Sequence, residues 1–261
     1  MGAQAAKPDP DTPSDLNIPD NYVAQTLQNT KPLPPITLRN LHKELNCLTC
    51  ALLLLNPILG LVGASRTSLQ WQTAVWAVIY YFITGLGTFL LSALSSSLIA
   101  VTGITAGFHR LWAHRSYNAS KPLAYWLALA GSGAAQGSIK WWSRGHRSHH
   151  RYTDTDLDPY NAHRGFFFSH IGWTLVKPRR RPGVADVSDL AKNPIVRWQH
   201  RNYVRLVLIM AFGVPTVVAG LGWGDWKGGF VYAGIIRLCI VHHVRLAFIY
   251  LLPIRSLYLC L

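Results

Sequence analysis

Apolar residues are concentrated in a few long runs that polar and basic stretches separate. Between Arg66 and His109, 42 consecutive residues include neither a charged side chain nor a histidine. One crossing of a bilayer takes about 20 residues. Further runs cover residues 47–64, 206–223 and, less uniformly because it contains Arg237, 228–241. The pattern predicts an all-α protein, a polytopic membrane helical bundle rather than a singly anchored chain.

Composition and charge agree with this prediction. Half of the residues are apolar (50%), only 14% are charged, and ten are tryptophan, which is typical of a membrane protein. The net charge is +14, and 13 of the 25 Lys and Arg residues lie between Lys140 and Arg205. Since basic loops beside spans stay in the cytosol, we expect this segment to be cytosolic. A membrane chain already explains the charge, so we expect no nucleic-acid partner, and an anionic substrate head group fits better.

Two other features carry little chemistry. The first 36 residues are rich in Pro, Asp and Gln and have no apolar core near Met1, which predicts a disordered tail rather than a cleaved signal peptide. Cys47 and Cys50 form a C-x-x-C, but they lie in a helical apolar run with no second pair. We interpret them as small apolar residues.

Five of the eleven histidines form two groups. "HRLWAH" contains His109 and His114, five apart, and "HRSHH" contains His146, His149 and His150 at offsets of three and one. On a helix, offsets of three, four and five keep side chains within about one face, so each group can direct its imidazoles to a common point. Neutral imidazole suits zinc, copper, iron and nickel. The alternative, polar residues that end helices near a membrane interface, accounts less well for two such groups.

The stretch between the two groups decides whether they can share a site. Residues 121–140 are apolar enough to resemble a span, but their second half is small and polar. A crossing here would place the groups on opposite sides of the membrane. We therefore predict a helix that does not cross, buried in protein or lying at the interface. Nearby, "TDTDLDP" (residues 153–159) is turn-like, and we expect its aspartates to pair with local backbone or with arginine rather than with metal.

Three stretches together resemble one family. "GITAGFHRLWAHRSYNA", "KWWSRGHRSHHRYTDTDLDPYNAHRGFFFSHIGW" and "VKPRRRPGVADVSDL" are similar to fungal acyl-CoA delta-9 (stearoyl-CoA) desaturases, and the likeness runs from about Pro34 to His243. It implies a multi-pass endoplasmic reticulum membrane enzyme with a cytosolic histidine-box cap that holds two irons. It also implies dioxygen (O2) as oxidant, cytochrome b5 as electron donor and a saturated fatty acyl-CoA as substrate.

The resemblance also assigns residues. It implies five iron ligands: His109, His114, His146, His149 and His150. By the same resemblance, Trp142 lines the bend of the acyl tunnel, and Arg144 and Lys177 lie near the coenzyme A phosphates. His163 and His170 match positions that are not ligands, and we expect a supporting role for them.

Two segments depart from the family pattern. Residues 88–102, "TFLLSALSSSLIAVT", are an insertion that would lengthen a helix by roughly 22 Å. After "GGFVYAGIIRLCIVHH" the family continues into N-S-x-A-H and H-x-x-H-H, whereas this chain continues "VRLAFIYLLPIRSLYLCL". We therefore expect the C-terminal part of the fold, including the third histidine box, to be missing, and no fused cytochrome b5 domain. Both segments resemble translated introns.

These observations predict three regions and leave three functions to compare. Residues 1–36 are the disordered tail, 37–243 an incomplete membrane fatty acid desaturase domain, and 244–261 a divergent C-terminal tail. The leading interpretation is an acyl-CoA delta-9 desaturase that introduces a cis double bond in unsaturated fatty acid biosynthesis. The alternatives are a catalytically inactive, truncated desaturase-like membrane protein without the full metal site, and another histidine-box oxygenase such as an alkyl hydroxylase.

Overall fold

The computed structural model describes residues 37, 39–85, 102–178 and 183–243. The predicted tails at 1–36 and 244–261 lie outside the described residues, as does the insertion at 88–102 except for Thr102. The three-region division therefore stays a prediction.

Helices account for the regular structure of the described residues. The longer ones are α1 (Cys47–Ser65), α2 (Trp71–Thr84), α3 (Gly103–Ala113), α4 (Lys121–Ser132), α5 (Ile139–Tyr152), α6 (Pro194–Arg201), α7 (Tyr203–Trp223) and α8 (226–243). Short helical segments cover Leu41–Glu44, Ala162–Arg164, Phe168–Gly172, Trp173–Leu175 and Ser188–Lys192. Within the described ranges the β-type pairing is an isolated bridge between Leu45 and Val176. The all-α prediction is confirmed for this part of the chain.

Among the described helices, one is both long and apolar enough to cross a membrane. It is α7, with 21 residues and a mean hydropathy of 2.1. The other apolar helices expose large side chains as well: Leu61 on α1 is 74% exposed and Trp71 on α2 is 72% exposed. Exposed apolar surface of this kind marks contact with lipid or with a partner. The finding supports a membrane protein, whereas the polytopic topology is not confirmed and stays a prediction.

The stretch at 121–140 divides into a helix and a loop. α4 ends at Ser132, and its 12 residues rise only about 18 Å, less than the roughly 30 Å of a bilayer core. Leu127, Ala128 and Ala130 are completely buried. One face of α4 is therefore buried in protein, and its not crossing the membrane stays a prediction.

Helices α3 and α4 approach each other with almost no side chain between them. A Cβ atom at Gly103 would lie 2.1 Å from the backbone nitrogen of Gly131, so only glycine permits this contact. Phe108, Leu127 and Ile139 are completely buried beside this contact. The close packing fixes the helix that carries the first histidine group against the helix that precedes the second.

A buried arginine joins three helices and the turn that follows α4. The guanidinium of Arg237 on α8 donates to the carbonyl oxygens of Ala233, Gly133 and Ala211 and to the hydroxyl of Thr84, at 2.8–3.0 Å. Arg237 is 2% exposed. A buried charge is tolerated only when hydrogen bonds replace water, and these four bonds supply that replacement.

Candidate metal centre

The two histidine groups converge at one point, although they come from different helices. The Nε2 atom of His114 lies 2.9 Å from that of His109 and 3.1 Å from that of His146. The Nε2 atoms of His146 and His150 are 3.0 Å apart. One ligand atom from each of the four histidines lies within 4.8 Å of the other three.

The convergence of His109 and His114 depends on the winding of α3. In an α-helix, residues five apart are separated by about 140° around the axis, which would point the two rings to different faces. α3 is instead wound as a π-helix, and the backbone N–H of His114 donates to the carbonyl of His109 at 2.9 Å. The wider turn brings the fifth residue back above the first, and π-helical turns are frequent at functional sites. The sequence-based assumption that an offset of five shares one face holds only because of this winding.

Helix α5 presents its residues in a regular row. His146 and His150 are four apart and therefore lie on one face. Trp142, one turn earlier, is 5% exposed and stacks on the His146 ring at a centroid distance of 4.8 Å and an interplanar angle of 24°. Ser138 begins the helix, since its side-chain oxygen accepts from the backbone N–H of Trp141. The row places an aromatic surface directly beside the histidine cluster.

The spacing of the four imidazoles fits a transition metal. A metal about 2.1 Å from each nitrogen, with bonds at right angles, separates neighbouring nitrogens by about 3.0 Å. The measured separations between neighbouring Nε2 atoms are 2.9–3.1 Å. An all-imidazole set suits iron, zinc, copper and nickel. The four histidines therefore could hold a transition metal, by their spacing and by their donor chemistry.

Burial and neighbouring charges keep three of the clustered histidines neutral, which is the form that can bind a metal. Burial, followed by repulsion from His109, His150, His114 and His149, lowers the pKa of His146 well below its usual value. Burial and the neighbouring His114 and His149 likewise lower the pKa of His150 to about 4, against the opposing effect of Asp158. Burial and the charges of two arginines lower the pKa of His114. These rings are neutral at pH 7, as coordination requires.

His149 is not part of the cluster of four. Its Nδ1 atom faces the carboxylate of Asp158, 2.9 Å from one oxygen and 3.0 Å from the other. The Asp158 side chain is fully buried and also accepts the backbone N–H groups of Asp154 and Tyr160, each at 2.9 Å. The prediction that these aspartates pair with local backbone is confirmed for Asp158. A carboxylate bonded to one ring nitrogen fixes the orientation of the ring, a contact that metal-ligating histidines commonly make. The predicted ligand role of His149 stays a prediction.

The two predicted coenzyme A residues lie outside the cleft beside the histidines. Arg144 on α5 is exposed, and so is Lys177, whose Nζ donates to the carbonyl of Lys43 at 3.0 Å. An open cleft of about 550 Å³ borders three of the clustered histidines, and neither residue lines it. Its arginines are Arg115, Arg147 and Arg151. The assigned roles of Arg144 and Lys177 stay predictions.

Sequence reasoning did not single out Arg147 or Asp189. Arg147 stands between His146 and His149 in the sequence, and its side chain is 12% exposed. It forms two hydrogen bonds with the Asp189 carboxylate, at 2.7 and 2.8 Å. The available signal in the sequence was an arginine between the histidines of the motif, since a charged residue that becomes buried is almost always paired.

The described part of the chain is all-α, with a cluster of four histidines that could hold a metal beside the buried Trp142. The sequence profile of the fatty acid desaturase family matches residues 87–252. The chain belongs to the fatty acid desaturase family, which confirms the resemblance drawn from its motifs.

Individual relatives agree with this assignment. A probable acyl-CoA desaturase of Schizosaccharomyces pombe is 47% identical over 80% of this chain and 40% of its own length. Acyl-CoA desaturase 1 of Saccharomyces cerevisiae is 40% identical over 79% of this chain and 38% of its own length. Stearoyl-CoA desaturase 5 of Homo sapiens is 49% identical over 58% of this chain and 47% of its own length. The chain thus spans less than half the length of each of these relatives.

Proposed function

We propose that the chain acts as an acyl-CoA delta-9 desaturase, which introduces a cis double bond into a saturated fatty acyl-CoA. The observation that carries the proposal is the convergence of four imidazoles from α3 and α5 beside Trp142. Membership of the fatty acid desaturase family and relatives named acyl-CoA desaturases support the same activity.

Iron is the metal that we propose for this centre. A saturated C–H bond offers no polar handle for acid–base catalysis, and the chemistry that bound iron supplies is the activation of dioxygen. The reaction removes two adjacent hydrogen atoms from the acyl chain and reduces one dioxygen to two waters. Its balance requires two electrons and two protons, and we propose cytochrome b5 as the electron donor.

The protein's own residues hold the metal and position the substrate. In this proposal His109, His114, His146 and His150 hold one iron, and His149, oriented by Asp158, serves a second. Trp142 forms the wall against which the acyl chain bends.

The charged end of the substrate requires a basic partner. We assign the coenzyme A phosphates to Arg144 and Lys177, which are both exposed and therefore accessible to a bulky anion. We place the enzyme in the endoplasmic reticulum membrane as a multi-pass protein, in contact with membrane lipid and with its histidines facing the cytosol. The span-length helix α7 supports the membrane part of this location.

Expression of the chain in yeast that lacks its own delta-9 desaturase tests the proposal. We expect growth without added oleate, 9-unsaturated fatty acids by gas chromatography, and iron in the purified protein. His146→Ala should abolish the unsaturated products and lower the iron content. His163→Ala is the matched control, because His163 is exposed and not among the four clustered histidines. A chain with neither iron nor products would refute the proposal, and iron without products would favour the inactive desaturase-like membrane protein.

A further inference from the structure

We infer that Arg147 is a positioning residue that fixes the end of α3, and with it His114, against α5. This inference rests on the proposed metal centre and adds to it a residue that holds the two histidine groups in register. Arg147 follows His146 directly on α5, whereas the groups that it binds belong to other segments.

The guanidinium has five N–H donors, and the structure gives each an acceptor. Nε donates to the carbonyl of Ala113 at 3.0 Å, and Nη2 donates to the carbonyl of Trp112. Nη1 donates to the carbonyl of Asp186 at 2.6 Å. The remaining two donors form the bidentate pair with Asp189.

The two acceptors on α3 are carbonyls that the helix itself leaves unpaired. The last turn of any helix ends in carbonyl oxygens that have no partner within the helix. Ala113 is the last residue of α3, and His114 follows it immediately. A cation at this end also interacts favourably with the helix dipole. Arg147 therefore binds the backbone one residue away from a clustered histidine.

The backbone after His114 shows that this end is held in place by its surroundings. Arg115 has a φ of 53°, a left-handed conformation that is strained for a residue other than glycine. Such a conformation persists only where neighbouring contacts determine it. The bonds from Arg147 to the carbonyls of Trp112 and Ala113 supply such contacts directly before this turn. Asp189 also accepts two hydrogen bonds from the half-exposed Arg115, at 3.0 and 2.7 Å.

Arg147 therefore links α5 rigidly to the backbone that leads into His114. Without it, the Nε2 of His114 would no longer be kept 3.1 Å from that of His146. Loss of an outer contact that orients a metal ligand typically lowers metal affinity about 10- to 100-fold. Arg147→Met should therefore weaken metal binding by that factor.

Cobalt(II) titration of the purified full chain in detergent measures this effect through the visible absorption of the bound ion. We expect a 10- to 100-fold higher Kd for Arg147→Met than for the unsubstituted chain, as the outer-contact range indicates. The spectrum of its cobalt complex should also move toward that of His114→Ala, because the same ligand is displaced. Arg147→Lys, with a shorter reach and three donors, should recover only part of the affinity.

Arg115→Met is the matched control. It removes an arginine from the same carboxylate, but Arg115 is 51% exposed, and half-exposed ion pairs contribute little. Its Kd should change less than about threefold. Asp189→Asn gives a second route to the inference if Arg147→Met does not fold, since it removes the anchor and leaves the arginine in place. The cobalt affinity of Asp189→Asn should fall between those of Arg147→Met and Arg115→Met.

The outcomes separate this inference from the function on which it rests. If the unsubstituted chain bound cobalt and Arg147→Met bound it with the same Kd and spectrum, Arg147 would have no positioning role while the metal centre stood. A merely structural role would lower the melting temperature of metal-free Arg147→Met without shifting the cobalt spectrum of the folded fraction, and this too would overturn the inference. Failure of the unsubstituted chain to bind cobalt would refute the metal centre and the inference together.

Discussion

Replacement of Asp158 by asparagine removes a negative charge but keeps the shape of the side chain. One Asp158 oxygen accepts the backbone N–H of Tyr160 and the other accepts that of Asp154, each at 2.9 Å. Both oxygens also face Nδ1 of His149. An asparagine amide has one oxygen, so in either orientation its NH2 group meets a backbone donor.

The loss of this one hydrogen-bond acceptor sets the expected decrease in the free energy of unfolding. A buried donor left without an acceptor costs about 1–3 kcal/mol, so we take about 2 kcal/mol for Asp158→Asn. For a chain of this size, 1 kcal/mol corresponds to roughly 2–4 °C in melting temperature. We therefore expect the variant to melt about 4–8 °C below the unsubstituted chain, a range that combines these two estimates.

Scanning fluorimetry of detergent-purified protein with a chelator present measures the difference at one fixed scan rate. Asp156→Asn is the control, because Asp156 lies in the same turn but is exposed. Exposed substitutions usually change stability by less than about 0.5 kcal/mol, which corresponds here to about 2 °C or less. If Asp158→Asn also melted within about 2 °C of the unsubstituted chain, the buried carboxylate would not be holding the turn.

Two further predictions concern protonation and the buried arginine. The pKa of His150 is about 4 in the folded chain, against about 6.5 when unfolded. Between these pH values the unfolded chain binds more protons than the folded chain, so acid favours unfolding. The metal-free melting temperature should therefore fall as the pH falls from about 6.5 to 4, and it should fall less in His150→Ala. An equal fall in both proteins would contradict this cause. Arg237→Leu removes the donor that bonds the carbonyls of Gly133 and Ala211. The variant should therefore melt at least about 5 °C below the unsubstituted chain, whereas the control Arg205→Leu, on the exposed start of α7, should melt close to it. Equal melting temperatures of the two variants would count against a stabilising role for Arg237.

The sequence identifies the chemistry of the site better than its geometry. Two histidine groups near a small, polar break predict a shared metal site, because residue type and spacing are visible in the chain. The π-winding of α3 is not visible in this way, since an ideal α-helix and a π-helix can carry the same residues. It becomes evident only from the hydrogen bond between His114 and His109. The pattern therefore predicts which histidines matter but not how an offset of five brings two of them together.

Tertiary contacts account for most of what the sequence did not reveal. The three aspartates of "TDTDLDP" are similar as a pattern, yet Asp158 is buried while Asp156 is exposed. The left-handed backbone at Asp154, with a φ of 60°, turns the chain so that two N–H groups meet one carboxylate. No periodicity predicts that difference, because it depends on the contact with α5. Hydropathy likewise does not predict the number of membrane crossings, because it measures apolarity and not the path of the chain.

Helix α5 can carry many polar residues because their side chains contact different partners in the protein. Consecutive positions on an α-helix are rotated by about 100°, so neighbouring side chains face different parts of the protein. His146 and His150 face the first histidine group, Arg147 faces the end of α3 and Asp189, and His149 faces Asp158. Each polar side chain in "HRSHH" thus has its own partner, which is how so polar a helix can be partly buried. Substitutions in this helix should therefore act through different partners, so that His146→Ala changes the metal centre directly and Arg147→Met changes it through the position of His114.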